Sequence, residues 1–146
     1  MDQIEVELAR IVIQQKGEQQ YIHLREKEGS GRTFPIVIGF TEIEEINRKL
    51  HGVQAPRPLT HDLVGRLVKE LGWRLARVIV TELRDGTFFA NLVLVPAEAT
   101  AAKGEQSERR VDCRPSDAIA LAVQTGARMF VARDVFDLVA PGVGPA

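Results

Sequence analysis

The chain lacks the features that mark several large classes of protein. It has one cysteine in 146 residues, which excludes an internal disulfide framework and is typical of a reducing compartment. No apolar run approaches the roughly 20 residues that a membrane span needs, and the first residues show no basic-then-apolar leader. We therefore expect a soluble, cytoplasmic protein that does not associate with a membrane.

Aromatic residues and net charge are also scarce. One Trp, one Tyr and six Phe are too few for an extended platform on which single-stranded bases stack. Nineteen basic and twenty acidic residues leave a net charge of −1, which argues against nucleic-acid binding by bulk electrostatics. An enzyme acting on nucleic acid fits this balance only if its charges are segregated. The candidate basic groups are Arg57, Arg66 and Lys69, then Arg109, Arg110 and Arg114; the acidic group is Glu42, Glu44 and Glu45.

The length and the turn signals predict a single α+β domain over residues 1–140, followed by a flexible tail, 141–146. Three strands, with a bulge near Ala9-Arg10 in the first, should form an antiparallel meander. Asp85-Gly86 predicts a hairpin, and two short strands should flank a late helix. Residues 97–108 read as a mobile loop. We expect a curved, mostly antiparallel or mixed sheet packed with about three helices.

Three principal helices are predicted to begin near Thr41, Thr60 and Pro115. Thr41 and Thr60 are interpreted as N-caps, and Gly52 and Gly72 as the stops of the first two helices. Apolar residues at helical spacing predict the faces of these two helices. They are Ile43, Ile46 and Leu50 in the first, directed to the core, and Leu63, Val64, Leu67, Val68 and Leu71 in the second.

The densest chemistry lies at the third helix start, in Asp112-Cys113-Arg114-Pro115-Ser116-Asp117. Proline suits the first helical position, and an aspartate in the first turn faces the positive end of the helix dipole. The following run, 118–123, is apolar nearly all round, which predicts a buried helix that ends at Gly126.

This stretch resembles a known family. The sequence Asp-x-Arg-Pro-Ser-Asp-Ala-Ile-Ala-Leu-Ala from Asp112, preceded by Arg-Pro-Leu-Thr-His-Asp-Leu from Arg57 and followed by Met129-Phe130-Val131, is similar to the bifunctional nuclease family. The resemblance extends from about Val6 to Val139. It implies a compact α+β domain that cuts both RNA and DNA.

The two Arg-Pro motifs predict one shared site. Each leads into a helix start with a hydroxyl and an aspartate, and a helix N-terminus readily binds anions. If the two starts meet, they form one pocket. The candidate catalytic residues are His61, Asp62, Asp112 and Asp117, and the candidate substrate-binding residues are Arg57, Thr60, Arg114 and Ser116.

Each candidate also has a structural alternative. Asp112 and Asp117, together with Asp62, can hold Mg²⁺ or Mn²⁺. Alternatively, Asp112 is an ion-pair partner, and Asp62 and Asp117 are first-turn helix residues. His61 can act as a general base or bond a neighbouring carbonyl. The two arginines can clamp phosphate or pair with aspartates, and Thr60 and Ser116 are better caps than nucleophiles. Cys113 is interpreted as a packing residue, because the family's pattern tolerates other small residues there.

Two functions from different classes follow. The first is a nuclease, divalent-metal-assisted, with RNA or DNA as substrate. The second is a non-catalytic regulatory module that binds an anionic ligand or a protein. We also expect a homodimer or a higher homo-oligomer, because the hairpin face at Phe88, Ala90, Leu92 and Leu94 is nearly uncharged.

Overall fold

The computed structural model describes residues 3–15, 19–98 and 107–140. Seven strands and four helices lie in these ranges. The strands are β1 (Gln3–Val12), β2 (Gln20–Glu26), β3 (Thr33–Ile38), β4 (Trp73–Arg84), β5 (Thr87–Pro96), β6 (Arg109–Cys113) and β7 (Arg128–Ala132). The helices are α1 (Phe40–Leu50), α2 (Thr60–Glu70), α3 (Pro115–Thr125) and α4 (Arg133–Val139).

The strands form one open, mixed sheet in the order β3-β2-β1-β7-β4-β5-β6. Both the N-terminal trio and the β4-β5-β6 trio are antiparallel. Strand β7 joins the trios, antiparallel to β1 and parallel to β4. The predicted α+β fold with a mixed sheet is confirmed. The predicted tail and most of the predicted mobile loop lie outside the described residues.

Local sequence signals account for the irregular points of the sheet. The pairing of β1 with β2 shifts register between Leu8 and Arg10, which confirms the predicted bulge. At the β4–β5 turn, Asp85 and Gly86 have φ angles of 52° and 78°. Positive φ at both central residues is the geometry of a type I′ hairpin turn, so the predicted hairpin is confirmed.

Helix α3 lies at the centre of the core, as its composition predicts. Ile119 and Ala120 join a cluster with residues of β1, β2, β3, α1 and α4. Ala118 and Leu121 join a second cluster with residues of β4 and β5. Gly126 ends the helix with a φ of 79°. One helix of small apolar residues therefore packs between two groups of side chains.

The two earlier helices bury less than their patterns predict. In α1, Ile43 and Ile46 are fully buried, but Leu50 is 45% exposed, so its predicted place in the core is wrong. In α2, only His61 is buried. The leucines at positions 63, 67 and 71 are 52%, 51% and 74% exposed, because this stripe points away from the sheet. Helix α2 is thus attached to the core by its other side.

The hairpin face on which the predicted self-association rests is covered within the chain. Ala90 is fully buried and Leu92 is 6% exposed, and both pack against α3. Phe88 and Leu94 are partly buried against the same two clusters. This face needs no partner, and that argument for an oligomer is wrong. The described residues also contain no helix with the length and apolar character that a bilayer crossing requires.

Candidate functional site

Helices α2 and α3 begin with the same local device. Asp62 accepts a hydrogen bond from the backbone N–H of Leu59 at 2.8 Å, and Asp117 accepts one from that of Arg114 at 3.2 Å. In each helix an aspartate at the third position therefore satisfies the N–H of the capping residue. Thr60 is not the cap of α2, since it is the first helical residue.

The other predicted caps also differ from the structure. Gly39, rather than Thr41, precedes the first residue of α1 as its cap. Ser116 is the second residue of α3, and it is 8% exposed. Neither hydroxyl caps its helix, because the chain enters both helices one or two residues earlier than the capping pattern suggests.

His61 connects the two helix starts. Its Nε2 lies 2.9 Å from Asp117 Oδ1, and its Nδ1 lies 2.8 Å from Glu45 Oε2 on α1. The ring is 8% exposed. The prediction that the two motifs meet is confirmed by this contact, although the catalytic roles of their residues stay predictions. Both ring nitrogens are occupied, so His61 joins three helices through two carboxylates.

The charges of this bridge favour a protonated ring. Burial disfavours the imidazolium, but the hydrogen bonds with Asp117 and Glu45 outweigh it and raise the pKa of His61 above 6.5. Burial likewise disfavours the Asp117 carboxylate, yet the bonds from Arg114 and His61 lower its pKa. An imidazolium held between two carboxylates can donate from both nitrogens.

Arg114 pairs with carboxylates, as its structural alternative predicts. Its Nε and Nη2 lie 3.0 and 2.9 Å from the two oxygens of Asp117, a bidentate pair. Its Nη1 is 3.4 Å from Glu42 on α1. The side chain is nevertheless 63% exposed, so the guanidinium also faces solvent. The Asp117 pairing raises the pKa of Arg114.

Lys49 forms a second connection between the same three helices. Its Nζ lies 2.7 Å from Asp62 Oδ1 on α2 and 2.7 Å from Gln124 Oε1 on α3. Glu45 Oε1, one turn earlier on α1, is 3.7 Å away. The bond from Lys49, followed by the Leu59 N–H, lowers the pKa of Asp62.

A cleft of about 640 Å³ opens beside these two connections. It lies between the end of α1, the segment from residue 52 to residue 59, and the facing sides of α2 and α3. Four of its lining residues belong to the network just described. They are Glu45, Lys49, Asp62 and Gln124.

The cleft holds cations that have no partner among the described residues. Four of them line it and form no hydrogen bond or ion pair within the described ranges. Some other arginines are paired closely, as Arg25 with Glu7 at 2.7 Å. Positive charge collects in the cleft, but the predicted separation from the acidic group is incomplete, because Glu45 lines the same cleft and Glu42 pairs with Arg114. The four residues are Arg48, Arg57, Arg66 and Lys69.

The structure does not bring Asp112 into this arrangement. Asp112 lies exposed on β6, paired in register with Asn91. Both oxygens of Asp117 already accept bonds from Arg114 and His61. No three or more His, Cys, Asp or Glu side chains in the described ranges are placed to hold a metal ion. Within the described ranges no contact joins Asp112 to Asp117, and their role as Mg²⁺ or Mn²⁺ ligands stays a prediction.

The remaining candidates lie away from the network. Burial, with smaller contributions from Asp117 and Asp112, raises the pKa of the Cys113 thiol to about 12, which agrees with a packing role. His51 Nδ1 is 2.8 Å from the Asn47 carbonyl at the end of α1. The Arg57 guanidinium lines the cleft two residues before the cap of α2, whereas Arg114 is itself a cap, so the two Arg-Pro motifs are not structurally equivalent.

The residue-level reasoning missed the contribution of α1. Glu42, Glu45 and Lys49 all enter the network, and Arg48 lines the cleft. A signal was available, because positions 42, 45 and 49 have the i, i+3, i+7 spacing of one helical stripe. Grouping Glu42, Glu44 and Glu45 as one acidic run on the surface hides that stripe, because the group leaves out Lys49.

Comparison with known proteins identifies the family of this chain. The family model described as the bifunctional nuclease domain matches residues 22–141. An uncharacterized protein of Mycobacterium tuberculosis is 36% identical over 127 residues, which cover 87% of this chain and 70% of that protein. Bifunctional nuclease 1 of Oryza sativa subsp. japonica is 26% identical over 101 residues, which cover 69% of this chain and 29% of the rice protein.

Proposed function

Since this chain belongs to the bifunctional nuclease domain family, we propose that it hydrolyses phosphodiester bonds of RNA and DNA in the cleft beside α2. The observation that carries the proposal is the cleft itself. Cations that form no hydrogen bond or close ion pair within the described ranges line a concavity that Glu45 and Asp62 line as well. Phosphate oxygens are the groups that such a surface binds.

Substrate binding in this proposal uses the four cations of the cleft. Arg57 and Arg66 offer planar forks that bond phosphate in bidentate fashion. Arg48 and Lys69 add charge on either side. The net charge of −1 does not oppose this arrangement, because the acidic residues elsewhere neutralise other arginines.

Asp62 is the predicted catalytic residue that lines the cleft. In the proposed hydrolysis, water adds to phosphorus and one phosphorus–oxygen ester bond breaks. The Asp62 carboxylate, whose oxygens keep lone pairs beside the bonds from Lys49 and the Leu59 N–H, accepts the proton that the water loses, and the departing sugar oxygen takes up a proton from solvent. His61 acts as a positioning residue, because an imidazolium bonded to carboxylates through both nitrogens has no lone pair that could accept a proton. Arg114 and Asp117 hold the ring in place from α3.

A cleavage assay with matched variants tests this proposal. Purified protein is incubated with single-stranded and duplex RNA and DNA, with and without Mg²⁺ or Mn²⁺, whose requirement stays a prediction. We expect the Arg57→Ala/Arg66→Ala variant to lose substrate binding and Asp62→Asn to bind substrate without cutting it. Arg133→Ala, at the start of α4 and away from the cleft, should cleave like the wild type.

The same assay distinguishes the second candidate function. A non-catalytic module that binds an anionic ligand would use the same cations, so nucleic acid would bind and Arg57→Ala/Arg66→Ala would abolish binding. No fragment would appear under any metal condition. That result would replace the nuclease by the regulatory binding module.

We also propose a cytoplasmic location and self-association through α2 instead of the hairpin. Leu63, Leu67 and Leu71 are exposed at intervals of one turn. In an antiparallel pair of α2 helices centred on Leu67, position 63 of one copy meets position 71 of the other, so the stripe is self-complementary. Light scattering of the wild type and of Leu67→Glu tests this, and a monomeric wild type at micromolar concentration would contradict it.

A further inference from the structure

Lys49 places a nearly buried ammonium among oxygens from three helices. Its Nζ is 2.7 Å from Asp62 Oδ1, 2.7 Å from Gln124 Oε1 and 3.7 Å from Glu45 Oε1. The side chain is 13% exposed. Lysine is rarely buried unless its charge is compensated, and here two carboxylates and an amide compensate it.

The oxygens around this ammonium are of the type that bind hard cations. Two carboxylates and one amide carbonyl are usual ligands of Mg²⁺, Mn²⁺ or Ca²⁺. Glu45 Oε1 is buried and makes no hydrogen bond within the described part of the chain, although its other oxygen bonds His61. The Lys49 ammonium stands 3.7 Å from this oxygen.

We propose that the Lys49 ammonium is the resident cation of the cleft. It takes the place that a divalent ion would take among Glu45, Asp62 and Gln124, and it is the positive charge that a phosphate meets at the floor of the cleft. The position of the ammonium in place of a divalent ion is inferred from the geometry alone. Its contact with phosphate rests on the proposed function.

The physical reason is that one site cannot hold both cations. An ammonium within hydrogen-bond distance of two of the three ligand groups repels a divalent ion brought to the same oxygens. Its tether to α1 also removes the entropic cost of capturing a free ion. Without the ammonium, the Asp62 carboxylate would lose its ion-pair partner and the buried Glu45 Oε1 would have no bond from a described residue, while Glu45 Oε2 keeps its bond to His61. Such a pair of carboxylates would attract a cation.

Equilibrium binding of Mn²⁺, measured by electron paramagnetic resonance, tests whether the Lys49 ammonium occupies the site of a divalent ion. This measurement does not depend on nuclease activity. The proteins are the wild type, Lys49→Ala, Lys49→Met, which keeps most of the aliphatic stem, and Lys69→Ala as a control that removes a cleft cation away from these oxygens. We expect the first and last to bind Mn²⁺ only weakly. The two Lys49 variants should bind one ion at least about tenfold more tightly, and adding Asp62→Asn should abolish the gain.

Two results would overturn the proposal. One is a wild type that binds Mn²⁺ as tightly as the Lys49 variants and loses it with Asp62→Asn. The other is a folded Lys49→Ala or Lys49→Met, checked by circular dichroism, that gains no site. If neither variant folds, the wild type alone decides: weak binding that Asp62→Asn leaves unchanged supports the proposal, and tight binding overturns it.

A cleavage assay in excess chelator tests the proposed contact between the Lys49 ammonium and phosphate. We expect wild-type cleavage to persist and Lys49→Met to cut at least about tenfold more slowly, the loss of roughly one charged contact to phosphate. Cleavage that stops with chelator and returns with Mg²⁺ would overturn the metal-free role while leaving the proposed nuclease intact. No cleavage under either condition would contradict the proposed function, and the Mn²⁺ result would still decide the cation's position.

Discussion

Helices α2 and α3 begin alike and end in opposite environments. In both, an aspartate at the third position accepts the N–H of the capping residue. Helix α3 then buries five consecutive residues, 118–122, whereas α2 buries only His61 and exposes three leucines. The aspartate at the third position therefore defines where each helix begins and supplies polar contacts between the two helices. The apolar residues that follow it determine which helix is part of the hydrophobic core.

The largest expected contrast is between apolar truncations in the two helices. Ile119→Ala in α3 should lower the free energy of unfolding by about 2–5 kcal/mol, because Ile119 is 1% exposed and its loss leaves a cavity. Leu67→Ala in α2, at 51% exposure, should change this free energy by less than about 0.5 kcal/mol at protein concentrations where the chain is monomeric. Urea denaturation measures both. Equal losses would show that α2 is part of the core.

The two capping aspartates offer a second contrast. Asp117→Asn should cost about 1–3 kcal/mol, because it weakens bonds to His61 and Arg114 as well as the cap. Asp62→Asn, which affects Lys49 and the cap, should cost less, about 1 kcal/mol. Thermal denaturation compares them, with the exposed Asp134→Asn as control.

Cleavage by the same variants separates fold from chemistry. If Asp117 serves the reaction, cleavage by Asp117→Asn should fall far more than the folded fraction does. Activity that merely follows the amount of folded protein would assign Asp117 a structural role alone.

The histidine bridge between the two helix starts should make stability depend on pH. The pKa of His61 is raised above 6.5 in the folded state, so its contribution is fully present below pH 6.5 and is lost as pH rises through the folded pKa. The pKa values of Asp62 and Asp117 are lowered in the folded state, so these carboxylates affect stability at acidic pH. Their stabilising contribution is lost as pH falls below about 3.8.

Urea denaturation of the wild type and His61→Gln across this range measures the effect. We expect the difference in stability between them to shrink as pH rises above 6.5. A difference that stays constant or grows with pH would contradict a charged bridge.

The smallest expected effect concerns the packing of α2 against α3. A Cβ at Gly65 would lie 2.5 Å from Gln124 Nε2, so Gly65→Ala must displace that side chain from the His61 carbonyl and disturb its bond to Lys49. Alanine gains about 0.5–1 kcal/mol in a helix, which offsets this loss. We expect a net change within about 1 kcal/mol in thermal denaturation, and a loss several times larger would show that Gln124 cannot move.

Much of the fold follows from local signals. The β2 and β3 bounds, the Asp85-Gly86 turn and the burial of α3 were all predictable, because turn chemistry and a continuous apolar run act within a few residues. The exposed stripe of α2 was not predictable, since its spacing is that of any core-facing helix. Which side of α2 meets the sheet depends on His61 reaching Glu45 and Asp117 across the fold.

The contributions of α2 and α3 to the candidate site were predictable from the sequence, but the complete site was not. The sequence motifs indicate His61 and Asp117, and the structure joins them directly. The third part of the site, on α1, carries no recognisable motif. Glu45 and Lys49 reach the other site residues only because α1 packs on α3. Asp112 shows the opposite case. Its neighbours in sequence are functional candidates, but it lies exposed near the end of β6, before the helix start that positions Arg114 and Asp117.

The place of β7 in the sheet has a consequence for the order of folding. Residues 3–38 and 73–113 each supply three neighbouring antiparallel strands, and the single strand between these trios is Arg128–Ala132. During synthesis on a ribosome, β1 can therefore pair with its second neighbour, β7, only after nearly the whole described chain has been made. Pairings so distant in sequence slow the final step of folding. Until synthesis passes residue 132, each trio has an open edge that another nascent copy can pair with.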